Sequence, residues 1–199
     1  TEIVSRNPVI SSIEPTVQSQ MENTLDAVMK TYTPRLAGGI VMDPHTGEIV
    51  AMALRPTFDP NTYNTVGDPT VFSNPLVEGR YELGSIMKPL TMAAGIDTGV
   101  ITVDTKYKDT GCMTLSTKEF CNFDKKARGV VRMQEILSQS LNLGVTFVEQ
   151  KIGHPLFTQY MQAYGLGGRT GIDLPNEISG DLAQLGEGVG PDINYATAS

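Results

Sequence analysis

A serine and a lysine stand three residues apart in Tyr81-Glu82-Leu83-Gly84-Ser85-Ile86-Met87-Lys88-Pro89-Leu90. On a helix that spacing puts both side chains on one face, so the Lys88 amine can reach the Ser85 hydroxyl. A serine hydroxyl is a weak nucleophile until a base takes its proton. Lysine is such a base only where burial or a nearby cation makes its neutral form accessible. Local signals place a helix start at or just before Ser85: Gly84 permits a tight turn, Ser85 suits an N-terminus, and Pro89 fits only within a first turn. Ile86, Leu90, Ala93, Ala94 and Ile96 give apolar cover over more than one face, as in a buried helix. A lysine in a first turn opposes the helix dipole, whereas the free N–H groups there would stabilise an oxyanion at an acyl carbon attacked by Ser85. The plain alternative is an N-cap serine beside a solvated lysine, and this pair of residues alone does not exclude it.

The elements that must hold this turn follow from pattern. Thr1 to Ser12 reads as a lead-in from something upstream. Pro15 then opens a helix whose face repeats at Val17, Met21, Leu25, Val28 and Met29 until Thr33-Pro34. Gly39–Asp43 and Glu48–Ala53 flank the turn Pro44-His45-Thr46-Gly47, the strongest hairpin signal in the chain. Arg55 to Arg80 is rich in Pro, Asn, Thr and Asp and has no periodicity, a long connection of the functional or mobile kind that leads to Ser85. After Gly99-Val100-Ile101 ends the Ser85 helix, Val103 to Asp124 reads as short strands and turns. Helices follow over Val131–Leu137, Leu143–Lys151 and Pro155–Tyr164, the first two separated by Ser138-Gln139-Ser140-Leu141-Asn142.

With 199 residues, 40% of them hydrophobic, the chain can bury a core of one domain or one and a half. A net charge of -7 without a basic stripe argues against a nucleic-acid partner. No apolar run has the length of a membrane span, and the residues after Thr1 do not form a signal peptide, so an anchor or export signal lies outside this sequence or does not exist. Cys112 and Cys121 sit where the chain could fold back as a hairpin; both a disulfide, implying an oxidising compartment, and two unpaired thiols fit the spacing. Neither His45 nor His154 is near them, which disfavours a metal site, and both histidines read as surface residues. Lys125, Lys126 and Arg128 could attract an anion or form a solvated loop. Gly165 to Gly171 imitates a phosphate loop, but without a preceding strand or a following helix it is a helix cap and turn.

Ser85-Ile86-Met87-Lys88, followed some fifty residues later by Ser140-Leu141-Asn142, resembles the transpeptidase domain of class B penicillin-binding proteins. The resemblance extends to Ile13–Gln18 before the first helix, the hairpin Gly39–Ala53, Tyr81–Gly84, and Thr170-Gly171-Ile172-Asp173-Leu174-Pro175 with Glu177 and Gly180. It implies an α+β fold shared with serine β-lactamases, in which an antiparallel sheet flanked by helices (hairpin 39–53) joins a helical subdomain (about 85–175). By the same resemblance Ser85 would be acylated, Lys88 would accept its proton, Ser140 would relay a proton to the leaving amine, and Asn142 would hydrogen-bond the substrate amide. It further implies peptidoglycan stem peptides and β-lactams as ligands, no cofactor, a membrane anchor upstream, a periplasmic or extracellular location, and a cell-wall glycosyltransferase as partner. A β-lactamase or D,D-carboxypeptidase would use the same triplets, and a non-catalytic β-lactam sensor could share them.

The family's third motif, Lys-Thr-Gly, does not occur. Arg169-Thr170-Gly171 follows Ser140 too closely to replace it. Residues 13–199 are therefore expected to be the N-terminal part of the domain, to leave the hairpin with an unpaired edge and an uncovered apolar face, to require the remaining part or another chain, and to have little activity alone.

Overall fold

The computed structural model describes residues 10–115 and 118–185, which fall into two units, one ending at Gly79 and the other beginning at Arg80. In the first unit, Glu14 accepts the Val17 N–H and Pro15 occupies the first turn, so α1 (Pro15–Tyr32) starts where a proline costs nothing. Its predicted stripe is inward: Leu25 is buried, and Val17, Met21, Val28 and Met29 are half-buried. β1 (Ala37–Met42) and β2 (Ile49–Arg55) form the expected antiparallel hairpin, with a register shift between Val41 and Met42.

Among the described residues, the unpaired edge foreseen for this hairpin is present on one side only. Along β2, Ser12 Oγ donates to Ile49 O, Glu14 N donates to Val50 O, and the Gln18 amide both donates to Met52 O and accepts from Met52 N. The start of α1 and the residues before it thus satisfy a strand edge with one backbone N–H and the side chains of Ser12 and Gln18. On β1, Ile40, Val41 and Met42 remain exposed.

The aperiodic connection is a series of short capped turns. Asp59, Asp68 and Asn74 each precede a proline, and each accepts the N–H two residues on, from Asn61, Thr70 and Leu76. These Asx caps start 3₁₀ turns at Pro60–Thr65 and Pro69–Phe72 and the short α2 (Pro75–Glu78).

In the second unit, α3 (Lys88–Asp97) precedes β3 (Lys106–Asp109), β4 (Cys112–Leu115), β5 (Lys118–Cys121) and β6 (Gly129–Arg132). α4 (Met133–Ser138), α5 (Asn142–Ile152) and α6 (His154–Ala163) follow. β3 pairs with β6 and β4 with β5, both antiparallel. The helix read from Val131 begins two residues later, because Val131 and Arg132 pair with Tyr107 and Lys106 in β6. β-branched Val130 and Val131 favour that outcome.

α5 is the centre of this unit: Leu143, Val145, Val148 and Ile152 are buried in one cluster with Met92, Ile101, Ile136, Phe157 and Met161. Two glycines permit its approach to other helices. A Cβ on Gly144 would lie 2.4 Å from Ile136 Cγ1, and one on Gly95 would lie 2.6 Å from Val148 Cγ1. Cys112 and Cys121 face each other in the β4–β5 register and form a disulfide. The bond consumes the thiols that Glu119 would otherwise join in a metal-binding group. His45 is exposed in its turn, but His154 departs from the surface reading: it is half-buried at the start of α6, with Nδ1 buried and without a hydrogen-bond partner. After α6, the carboxylate of Glu177 accepts from Thr170 N, Thr170 Oγ1 and Gly171 N, which makes the glycine-rich stretch a turn wrapped on its own side chain.

Candidate active site

Ser85 lies in a 3₁₀ turn, Gly84–Met87, that runs into α3 at Lys88, and Gly84 enters it at φ +60°. The α-helix therefore begins three residues later than the sequence signals place it. That difference matters for the chemistry. In a 3₁₀ turn residues i and i+3 eclipse one another, which stacks Lys88 over Ser85 more directly than an α-turn would. It also changes which side faces inward. Ile86 and Ile96 are exposed, whereas Lys88, Thr91, Met92, Ala94 and Gly95 are buried.

Lys88 is 2% exposed. Its Nζ is 2.8 Å from Ser85 Oγ, 2.9 Å from Ser140 Oγ, 3.0 Å from Ser140 O and 2.7 Å from Asn142 Oδ1. Ser140 Oγ is in turn 3.0 Å from Ser85 Oγ. The four residues picked out in the sequence are thus brought together, across a separation of more than fifty positions. Ser140 follows α4 in a left-handed conformation, φ 53°, which turns its carbonyl and its hydroxyl toward the same amine. Asn142 is the first residue of α5.

No carboxylate is among these contacts of Nζ, and burial pulls the Lys88 pKa below the usual lysine range. Two of its four neighbours, Ser140 O and Asn142 Oδ1, can only accept. A neutral amine has two N–H groups for them and one lone pair for a hydroxyl proton.

The site opens into a cavity of about 420 Å³ lined by Ser85, Ser140 and Asn142 together with Asn122, Phe123 and Arg128. Phe123 is fully exposed. Arg128 does not present a free cation: Asp124 binds its guanidinium at 2.7 and 3.0 Å, and that pairing pulls the Asp124 pKa down to about 2. Sequence reasoning missed Asn122 and Phe123. An isolated Asn-Phe pair after a cysteine carries no spacing that marks it as part of a site.

The same fold occurs in a crystal structure described as a peptidoglycan glycosyltransferase from Burkholderia ambifaria, which aligns with a TM-score of 0.81 over 95% of this chain and 55% of that one. At 20% identity that likeness concerns the fold alone. The chain belongs to the penicillin binding protein transpeptidase domain family, whose model matches residues 37–197. Among curated relatives, stage V sporulation protein D of Bacillus subtilis is 32% identical over 94% of this chain and 29% of its own length. The probable peptidoglycan D,D-transpeptidase FtsI of Caulobacter vibrioides is 29% identical over 84% of this chain and 28% of its own. The peptidoglycan D,D-transpeptidase MrdA of Acinetobacter baumannii is 27% identical over the same shares. The chain spans less than a third of the length of these relatives.

Proposed function

We propose that this chain carries the acylation machinery of a serine-type peptidoglycan D,D-transpeptidase, the activity named in two of the relatives above. The observation that supports it best is the seat of Lys88. Two obligate acceptors match the N–H groups of a neutral amine, and Ser85 Oγ is 2.8 Å from the nitrogen that would take its proton. In this reading Ser85 attacks the carbonyl of the penultimate D-alanine of a stem peptide while its proton passes to Lys88. N–H groups at the helix start stabilise the oxyanion. As the C–N bond breaks, the proton travels through the Ser140 hydroxyl to the departing D-alanine amine, leaving an ester on Ser85. An amine from a neighbouring strand then attacks the ester, and Ser85 recovers a proton. Asn142 would direct the substrate amide. A β-lactam would acylate the same oxygen.

A hydrolytic relative would need a group to activate water. The Glu177 carboxylate, bound by Thr170 and Gly171, has the structural role that its Pro-Asn-Glu setting suggests and is not placed to do so, which disfavours the β-lactamase and carboxypeptidase readings. The Cys112–Cys121 disulfide supports a location outside the cytoplasm. Among the described residues no helix is long and apolar enough to cross a membrane, so the membrane anchor of this proposal would lie elsewhere in a longer chain. The remaining strands, the Lys-Thr-Gly triplet and a glycosyltransferase partner belong to the same reading, which requires no cofactor.

Intact-mass analysis after incubation with a penicillin tests the proposal, using the full-length chain and residues 1–199. A single adduct in the full-length chain that vanishes in Ser85→Ala and persists for minutes is expected. No adduct in the full-length chain would exclude the acyl-enzyme mechanism, and release within seconds would favour a hydrolase.

A further inference from the structure

Lys88 needs an oxygen from Asn142. Turned by 180°, the same amide would place an NH₂ against the amine, a donor facing a donor. Something must therefore hold Asn142 the right way round. We infer that Asn122, oriented by Asp109, positions the start of α5 and so, together with the neighbouring Cys121 carbonyl that accepts from the Asn142 amide, holds Asn142 in place; this rests on the acyl-transfer reading above.

α5 begins after Leu141, whose side chain cannot cap a helix, and no side-chain cap of its own is present. The N–H groups of a first turn need acceptors, particularly when buried. Leu143 N finds one across 21 positions, donating to Asn122 Oδ1 at 3.2 Å. One residue earlier in each segment, Asn142 Nδ2 donates to Cys121 O at 3.0 Å. Two consecutive residues at the end of β5 thus bind the first two residues of α5.

Asn122 is itself an amide that could turn over, and Asp109 prevents that. Asn122 Nδ2 lies 2.9 Å from each carboxylate oxygen of Asp109, and Gly111 N donates to Oδ1 at 3.0 Å. Asn122 is 3% exposed and Asp109 is 1% exposed. A buried carboxylate only accepts, so it demands the NH₂ of Asn122 and leaves Oδ1 to meet Leu143. The order of control runs from the two Asp109 oxygens to the Asn122 amide, then to the α5 terminus with Asn142, and from there to Lys88. Asp109 lies outside the contacts of both Ser85 and Lys88, so its influence on them passes through Asn122 and Asn142.

The test is stopped-flow acylation of the full-length protein by a penicillin, resolved into initial binding and the first-order acylation step, with rates expressed per folded molecule. Asn122→Ala should slow the acylation step about tenfold or more while initial binding stays within about twofold. Asp109→Asn combined with Asn122→Asp exchanges carboxylate and amide so that every donor keeps an acceptor. This pair should recover to within about threefold of the parent rate. If Asn122→Ala does not fold, the decisive comparison is Asn122→Asp alone, slow, against the exchanged pair, fast. A folded Asn122→Ala that acylates at the parent rate, or a folded exchanged pair no faster than Asn122→Asp, overturns the inference while the acyl-transfer reading stands. Absence of Ser85 labelling in the parent protein overturns both.

Discussion

Lys88 has the surroundings of an amine that works as a base: it is buried, it touches no carboxylate among its hydrogen-bond partners, and two of its four contacts, Ser140 O and Asn142 Oδ1, can only accept. Lys88→Arg keeps a cation of similar length that cannot give up a proton, so the acylation rate should fall by about 10³-fold while the protein stays folded. Because burial lowers the Lys88 pKa, its neutral fraction grows as pH rises through that lowered value. The parent acylation rate should therefore climb and reach its plateau below the ordinary lysine range; a limb centred on the ordinary lysine value would contradict the assigned base. Phe123, fully exposed at the cavity, should contribute to ligand binding and little to the fold. Phe123→Ala is expected to leave unfolding within about 0.5 kcal/mol of the parent and to weaken stem-peptide binding about fivefold, measurable by calorimetry. At this scale Ser85 and Lys88 were legible because three positions on a helical turn are a local constraint. Ser140 and Asn142 were visible only through family resemblance, since nothing local connects residues more than fifty positions apart. Asp109 and Asn122 left no sequence signal at all, because an Asp and an Asn thirteen residues apart are ordinary until a fold buries both.

The elements around the site depend on close helix approach. Alanine normally favours a helix over glycine by about 1 kcal/mol, yet at Gly144 its Cβ would enter the space of fully buried Ile136. Gly144→Ala should lower stability by about 1–2 kcal/mol in a thermal melt, overpacking outweighing propensity, and Gly95→Ala should behave similarly against Val148. A melting temperature raised by either change would show that the helices adjust freely. Hairpin and helix identities were readable wherever period and turn chemistry agreed, as in α1 and β1–β2. They were misread where one pattern adjoined another. Val131 directly precedes a helical run and reads as part of it, although pairing with Tyr107 makes it a strand residue. Gly84 and Pro89 signal a helical turn at or just before Ser85 without distinguishing 3₁₀ from α, so the sequence does not locate the onset of α3 at Lys88.

At the scale of the molecule, one buried acid makes stability depend on pH. Glu149, 2% exposed on α5, has its pKa raised to about 7 by burial. The folded state therefore holds this proton more tightly than the unfolded chain does. Its contribution is fully present below the unfolded value of about 4.5, declines as pH rises, and is lost above about 7. Denaturant titrations should show the parent losing up to about 3 kcal/mol between pH 5 and 8 relative to Glu149→Gln, in which that dependence disappears. Parallel curves for the two proteins would mean that the carboxyl is solvated. The exposed apolar residues of β1, Ile40, Val41 and Met42, should promote self-association of residues 1–199, and Val41→Lys should reduce it in sedimentation experiments. The sequence made that exposed strand foreseeable through its hairpin signal, but it did not reveal that Ser12, Glu14 and Gln18 would satisfy the β2 edge. The arrangement of the lysine seat also bears on biosynthesis. All four contacts of Nζ come from Ser85 to Asn142, and the groups that orient Asn142 lie between Asp109 and Asn122. A ribosome delivers these residues in a single run, so a nascent chain can complete the surroundings of its lysine once α5 has emerged. The reactive centre would then be the product of one contiguous stretch of translation.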